Sequence, residues 1–167
     1  MIEIRPIQQH EVPEAKLVIF SVAHELFKEA NSLEESIALY TSKGKCGEMD
    51  DVQTNYFENG GTFLVTIADG RIVGTGAIRY LEEGVCELKR MWLLFEYHGQ
   101  GHGYRMMHEL FRIAREKGYK VIRLLTDPII QDNAVRFYKR LGFYEIPSFS
   151  DDPDDMGMEL ILQIREG

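Results

Sequence analysis

The period of the apolar positions changes along the chain, and each change marks an element. Ile2 and Ile4 alternate with Glu3 and Arg5 ahead of Pro6, which predicts a short first strand. Pro13 suits the first turn of a helix. The stretch PEAKLVIFSVAHELFKEA, 13–30, predicts that helix, with Leu17, Phe20, Leu26 and Phe27 turned inward. Asn31 and Ser32 close it and can cap the next helical piece, LEESIALYTSKG. A third short helix is expected near MDDVQTNYFEN, with Asp50 or Asp51 at its start and Gly60–Gly61 after it.

A run of strands follows. TFLVTIA and RIVGTGAIRYL flank Asp69–Gly70, a strong hairpin signal. VCELKRMWLLF completes an antiparallel meander. Its apolar positions Leu88, Met91 and Leu93 are out of a strict two-residue period, because Lys89 and Arg90 both fall between the first two. One surplus residue of that kind predicts a β-bulge, which leaves backbone groups unpaired. Beyond a glycine-rich loop, Met107, Leu110, Phe111 and Ala114 mark one face of a helix over about 101–117, stopped by Gly118. KVIRLLTD predicts a buried strand. A helix capped by Asp132 follows, with Ala134, Phe137, Tyr138 and Leu141 on one face and Gly142 at its end. FYEIPSF and MGMELIL predict a last strand pair around the acidic loop SDDPDD. The result is an α+β fold with a mixed sheet, antiparallel at first and parallel where a helix crosses over.

Composition narrows the class. At 167 residues and 44% apolar content, without a linker or internal repeat, the chain predicts a single domain over 1–167. The charged start MIEIRPIQQHE does not read as a signal peptide, and no apolar run approaches ~20 residues, so neither a leader nor a membrane span is expected. Cys46 and Cys86, without C-x-x-C spacing, fit free thiols in a cytoplasmic protein. The net charge of −8 argues against nucleic acid as a partner. The charge is unevenly spread. Residues 1–84 carry 7 basic and 14 acidic side chains, residues 85–140 carry 11 and 6, and residues 141–167 carry 1 and 7. The basic segment contains the glycine loop.

That loop, His98-Gly99-Gln100-Gly101-His102-Gly103, lies between a strand and a helix start. Free N–H groups and the positive end of the helix dipole make such a junction an anion cradle. It is neither a G-x-G-x-x-G dinucleotide fingerprint nor a P-loop with its Lys; its glycines at 101 and 103 match a pyrophosphate loop of the Q/R-x-x-G-x-G/A type, with His98 at the first position. No metal is expected: His98 and His102 lack a carboxylate or Cys partner, and His24 and His108 are isolated.

Three motifs in order give the chain a resemblance to the GNAT superfamily of N-acetyltransferases. ELKRMWL resembles that family's bulged fourth strand, HGQGHGYR its pyrophosphate loop, and NAVRFYKRLGFYEIP its late helix and sixth strand. His98 departs from the family's usual Gln or Arg. The resemblance implies acetyl-CoA as cosubstrate. Its pyrophosphate would lie on the loop formed by His98, Gly99, Gln100, Gly101, His102, Gly103, Tyr104 and Arg105. Its pantetheine would lie along Met91, Trp92 and Leu93, with Asn133 and Tyr138 as further contacts. The resemblance also implies Tyr138 as the acid that protonates the departing thiolate and Glu87 as the base for the amine. The acceptor is then a small-molecule amine or a lysine or N-terminal amine. The acidic residues Glu25, Glu29, Glu34, Glu35, Asp50 and Asp51 suggest a cationic one. A coenzyme-A-binding sensor without transfer activity is the alternative. The stretch Phe149–Met158, taken as a sheet edge, offers a homodimer contact.

Overall fold

The computed structural model describes residues 1–162. The first four strands, Ile2–Pro6 (β1), Thr62–Ala68 (β2), Arg71–Glu82 (β3) and Val85–Leu93 (β4), form the antiparallel meander. Asp69 and Gly70, at φ 50° and 81°, make the two-residue turn between β2 and β3, whose twist suits the paired strands. Val121–Thr126 (β5) lies parallel to β4 over three residue pairs, from Val85–Val121 to Glu87–Arg123. Tyr144–Ile146 (β6) and Met156–Ile161 (β7) complete a seven-stranded sheet in the order β1-β2-β3-β4-β5-β7-β6. The expected mixed sheet, with its parallel pair between β4 and β5, is what the chain forms.

Four helices flank it: Val12–Phe27 (α1), Leu33–Ser42 (α2), His102–Glu116 (α3) and Asp132–Leu141 (α4). They divide the interior into two cores. On one face Ala15 and Ile19 of α1 and Tyr40 of α2 pack with Met49, Tyr56, Phe63 and Val65. On the other, Met106, Met107 and Leu110 of α3 and Tyr138 of α4 pack with Leu64, Ile78, Cys86, Ile122 and Met158. Strand β2 supplies both cores from alternate residues, so all seven of its residues are buried. Full burial of a side chain such as Phe63 or Ile78 contributes roughly 1.5–3 kcal/mol.

Several local expectations are corrected. Helix α1 ends at Phe27, where Lys28 turns left-handed at φ 49°. Leu17 is 50% exposed; the inward face runs through Val12, Ala15, Ile19 and Val22. The continuous run Leu17–Phe20 carried no phase by itself. The third helical piece is a 3-10 turn, Gly47–Asp51, followed by a single wide π turn, Gln53–Phe57. Asp132 is the first residue of α4 rather than its cap. Strand β7 lies inside the sheet between β5 and β6, and Met158 is wholly buried, so Phe149–Met158 is not one edge. The edge strand is β6. Among the described residues no helix is long and apolar enough to cross a membrane.

A double contact ties β1 to the start of α1. Arg5 donates to both carboxylate oxygens of Glu11, at 2.8 and 2.7 Å, and the Gln8 N–H donates to Oε1 at 3.0 Å. The Arg5 contacts hold the Glu11 carboxyl down at about 2, from an ordinary 4.5. A depressed carboxyl stabilises the fold above its unfolded pKa and ceases to do so as pH falls through its folded one. Glu11→Gln should therefore cost about 1 kcal/mol at pH 7, since Arg5 stays partly solvated. The difference from the parent should vanish near pH 2, as urea denaturation at the two pH values would show.

Candidate active site

The site begins with a miscount between two strands. From Ala77 to Thr75, β3 advances two residues, while its partner β4 advances three, from Lys89 to Trp92. The surplus is taken up at Arg90, a non-glycine residue at φ 55°, a conformation that costs on the order of 1 kcal/mol. Two contacts from outside β4 hold it there. The buried Thr75 hydroxyl donates to the Arg90 carbonyl at 2.7 Å, and the Arg90 guanidinium is paired with Glu48 of the 3-10 turn. The bulge expected between Leu88 and Met91 is therefore present.

Its consequence is a cleft. The β4–β5 pairing stops at Glu87–Arg123, and beyond it the two strands have no registered partners on their facing sides. The gap, about 150 Å³, is lined on one wall by β4 from Glu87 to Trp92. Leu124, Leu125 and Thr126 of β5 form the other wall, closed by Gln131, Ala134 and Tyr138. Met91 leans into the α3 core and Trp92 into the α1 core, so the bulged strand is anchored on both faces.

Glu87 is 4% exposed and sits directly across from Arg79, whose Nε donates to Oε1 at 3.2 Å. Tyr138 is 7% exposed, and its ring packs against Phe137 and Phe143. Burial pushes its phenol pKa up, and among the described residues no charge or hydrogen bond offsets it. Tyr138 thus stays protonated at any working pH.

The glycine loop leads into α3, which packs in the same core as Met91 and Tyr138. After a 3-10 turn, Phe95–Tyr97, the chain turns left-handed at Gly99 (φ 75°) and Gly101 (φ 86°), where a side chain would be strained. Helix α3 starts at His102 with no side-chain cap on its first turn. Its leading N–H groups therefore have no side-chain partner at the cap among the described residues. Side chains brace the loop from within. His98 Nε2 lies 2.8 Å from the Leu93 carbonyl, which ties the loop to the end of β4. Gln100 donates to the Glu96 carbonyl at 3.0 Å. His102 is buried, with Nε2 3.4 Å from Gln100 Oε1 and Nδ1 without a partner among the described residues. Gly103 fills a different need: a Cβ there would stand 3.2 Å from the Phe137 ring, so α3 and α4 touch at this point. Tyr104 packs edge-on against the same ring, and Arg105 is exposed.

The fold thus brings Glu87, Met91, Trp92 and Tyr138 into one cleft, with the 98–105 loop at the adjoining helix start. Two other candidates lie outside the lining. Leu93 packs toward Gly74, and Asn133 is exposed, its Oδ1 accepting from Arg136 at 2.7 Å. Gln131 stands in the cleft instead, its Oε1 accepting from the Thr126 hydroxyl at 3.0 Å. Gln131, Thr126, Lys89 and Arg79 were not picked out as site residues by sequence; the Thr126–Gln131 spacing is a turn signal at most. Among the described residues no group of three His, Cys, Asp or Glu side chains is placed to share a metal ion.

A family described as "Acetyltransferase (GNAT) family" matches residues 24–143. This chain belongs to the GNAT acetyltransferase family. Among GNAT relatives, it is 31% identical to the uncharacterized N-acetyltransferase YjgM of Escherichia coli (strain K12), over 59% of this chain and 60% of that protein. It is 29% identical to N-acetyltransferase 8 of Mus musculus over 62% of this chain and 48% of that one. The match thus spans between about half and three fifths of these relatives' lengths. The GNAT fold is shared with an acetyltransferase from Staphylococcus aureus Mu50 at TM-score 0.80 and 22% identity, covering 98% of this chain and 100% of that one. It is shared equally with the PaiA N-acetyltransferase of Thermoplasma acidophilum, solved with coenzyme A, at TM-score 0.76 and 23% identity over 96% and 99%.

The hydroxyl that pins the bulge can be removed without changing its shape. Thr75→Val should cost about 1–2 kcal/mol in urea denaturation by leaving the Arg90 carbonyl without its donor, and Thr75→Ser should recover most of that. Equal losses in both variants would assign the effect to packing.

Proposed function

We propose that this chain transfers an acetyl group from acetyl-CoA to a primary amine, by direct attack in a ternary complex. The observation that carries the reading is the opened β4–β5 pair, with Glu87 on the β4 wall and Tyr138 among the residues that close the gap. The residues fit the cosubstrate. The N–H groups of the Gly99–Arg105 turn suit a pyrophosphate, and the unpaired backbone of β4 beyond Glu87 suits the pantetheine amides as an added pseudo-strand. Family membership supports the same cosubstrate, as does the fold shared with a T. acidophilum acetyltransferase solved with coenzyme A.

The chemistry asks for a base, an oxyanion donor and an acid. Glu87 takes the proton from the attacking amine, directly or through water. Arg79 holds its Oε1, which fixes the carboxylate and leaves Oε2 for that task. The backbone at Met91–Trp92 faces the thioester carbonyl and donates to the oxyanion as the amine adds. Collapse expels the thiolate, and Tyr138 returns a proton to it. A buried phenol is a weaker acid than a free one, but the same burial raises a thiol: the Cys86 thiol, in the core nearby, is pushed up to about 12. Donor and leaving group stay matched when both are desolvated. Among the described residues no cysteine lines the cleft, so the acyl group needs no covalent stop on the protein.

Thiol release from acetyl-CoA over a panel of amines tests the proposal. Tyr138→Phe should lower kcat by about a hundredfold and leave coenzyme A affinity within about twofold. Gly101→Ala should do the reverse, weakening coenzyme A binding through strain in the loop, as calorimetry would report. Tight coenzyme A binding with no turnover on any amine would instead make this a sensor domain.

A further inference from the structure

On the β4 wall, Leu88 and Met91 face the α3 core, while Glu87, Lys89, Arg90 and Trp92 face the α1 side. Five charged groups meet on that α1 side: Arg79, Glu87, Lys89, Arg90 and Glu48. Four of them are spent on each other. Arg79 is paired with Glu87 and Arg90 with Glu48. Lys89 is left over. It lines the cleft, is half-buried, and among the described residues no carboxylate comes within 4.0 Å of its ammonium. Burial, with the like charges of Arg90 and Arg79, pulls its pKa below the usual lysine value, and the more distant Glu87 and Glu48 only partly oppose that. A half-buried cation without a counter-ion, in a cleft open to ligands, lacks half of an interaction.

We propose that the acceptor carries a carboxylate beside the amine to be acylated, as an α-amino acid does, and that Lys89 receives that carboxylate. The inference rests on the acetyl-transfer reading above. The start of α3, proposed for the pyrophosphate, belongs to the helix packed on the Leu88–Met91 face of β4, opposite the face that bears Lys89, which argues against the pyrophosphate as its partner. The acidic residues that suggested a cationic acceptor do not stand against it. Glu25, Glu29, Glu34, Glu35, Asp50 and Asp51 are all exposed, and none lines the cleft. Three of them already serve the fold. Asp50 pairs with Lys16, Asp51 accepts from the Thr54 N–H, and Glu35 accepts from the Asn31 N–H. In the cleft itself the balance is one positive charge in excess, and that charge is Lys89.

The test uses the full chain, acetyl-CoA and matched acceptors: an amino acid, its carboxamide and its decarboxylated amine. In the parent, kcat/KM for the amino acid should exceed that for either analogue by at least about tenfold. In Lys89→Met that ratio should fall toward one, mainly through a rise in KM, with coenzyme A affinity serving as the check on folding. Lys89→Arg should keep both the ratio and kcat, whereas loss of a lysine acting as the proton-abstracting base would lower kcat on all three acceptors alike. A ratio near one in the parent, or one unmoved by Lys89→Met, overturns the proposal and leaves acetyl transfer intact. Coenzyme A binding with turnover on none of these three acceptors overturns this proposal, while acetyl transfer itself falls only if the whole amine panel above also gives no turnover.

Discussion

Two parallel strands stay zipped along their length unless something turns one of them aside, and in this sheet that is the residue inserted at Arg90. The ladder between β4 and β5 ends at Glu87, and the unpaired backbone that follows is exposed to whatever enters. Unpaired peptide groups inside a protein are costly, so such an opening persists only where other contacts hold it. Here the Thr75 hydroxyl fixes the carbonyl of the inserted residue and Glu48 fixes its side chain. Met91 and Trp92 then sink into opposite cores. The cleft is a consequence of strand arithmetic, and every group proposed to act in it is placed relative to that one insertion.

The second half of the site is tied to the first through a glycine contact. Gly103 lets the start of α3 touch Phe137 of α4, and Phe137 in turn packs on the Tyr138 ring at 5.5 Å between centroids. The helix start that suits phosphate and the phenol that suits a departing sulfur therefore belong to one packed unit. His98 ties the loop back to the Leu93 carbonyl. That bond gives a structural task to the residue that departs from the family's usual Gln or Arg.

Much of this was legible in the sequence, for definable reasons. The bulge showed because Lys89 and Arg90 both stood where a single polar residue would keep the period. The β2–β3 turn showed because Asp-Gly tolerates two left-handed residues in succession. What failed was information carried by register and phase. Arg79 faces Glu87 only because the β3–β4 ladder slips between Tyr80 and Glu82. A plain count outward from the Glu82–Val85 pair sets Arg79 opposite Leu88. Leu17 was misplaced because four apolar residues in a row give a helix no preferred side. Asn133 and Gln131 are two residues apart at a helix start, and which one faces the cleft depends on how the 127–131 turn closes. There Asp127 accepts from the Ile129 and Ile130 N–H groups, and Gln131 swings in toward Thr126.

Strand β2 touches the two cores with alternate side chains, so the sheet lies between them. The pieces proposed for the cosubstrate, α3, α4 and the 98–105 loop, belong to one layer, while Glu48 and the face bearing Lys89 look into the other. Substitutions on the Lys89 face can therefore alter the proposed acceptor contact while α3, α4 and the 98–105 loop stay as they are, provided that Glu48 and Arg90, which hold the bulge for both layers, are kept.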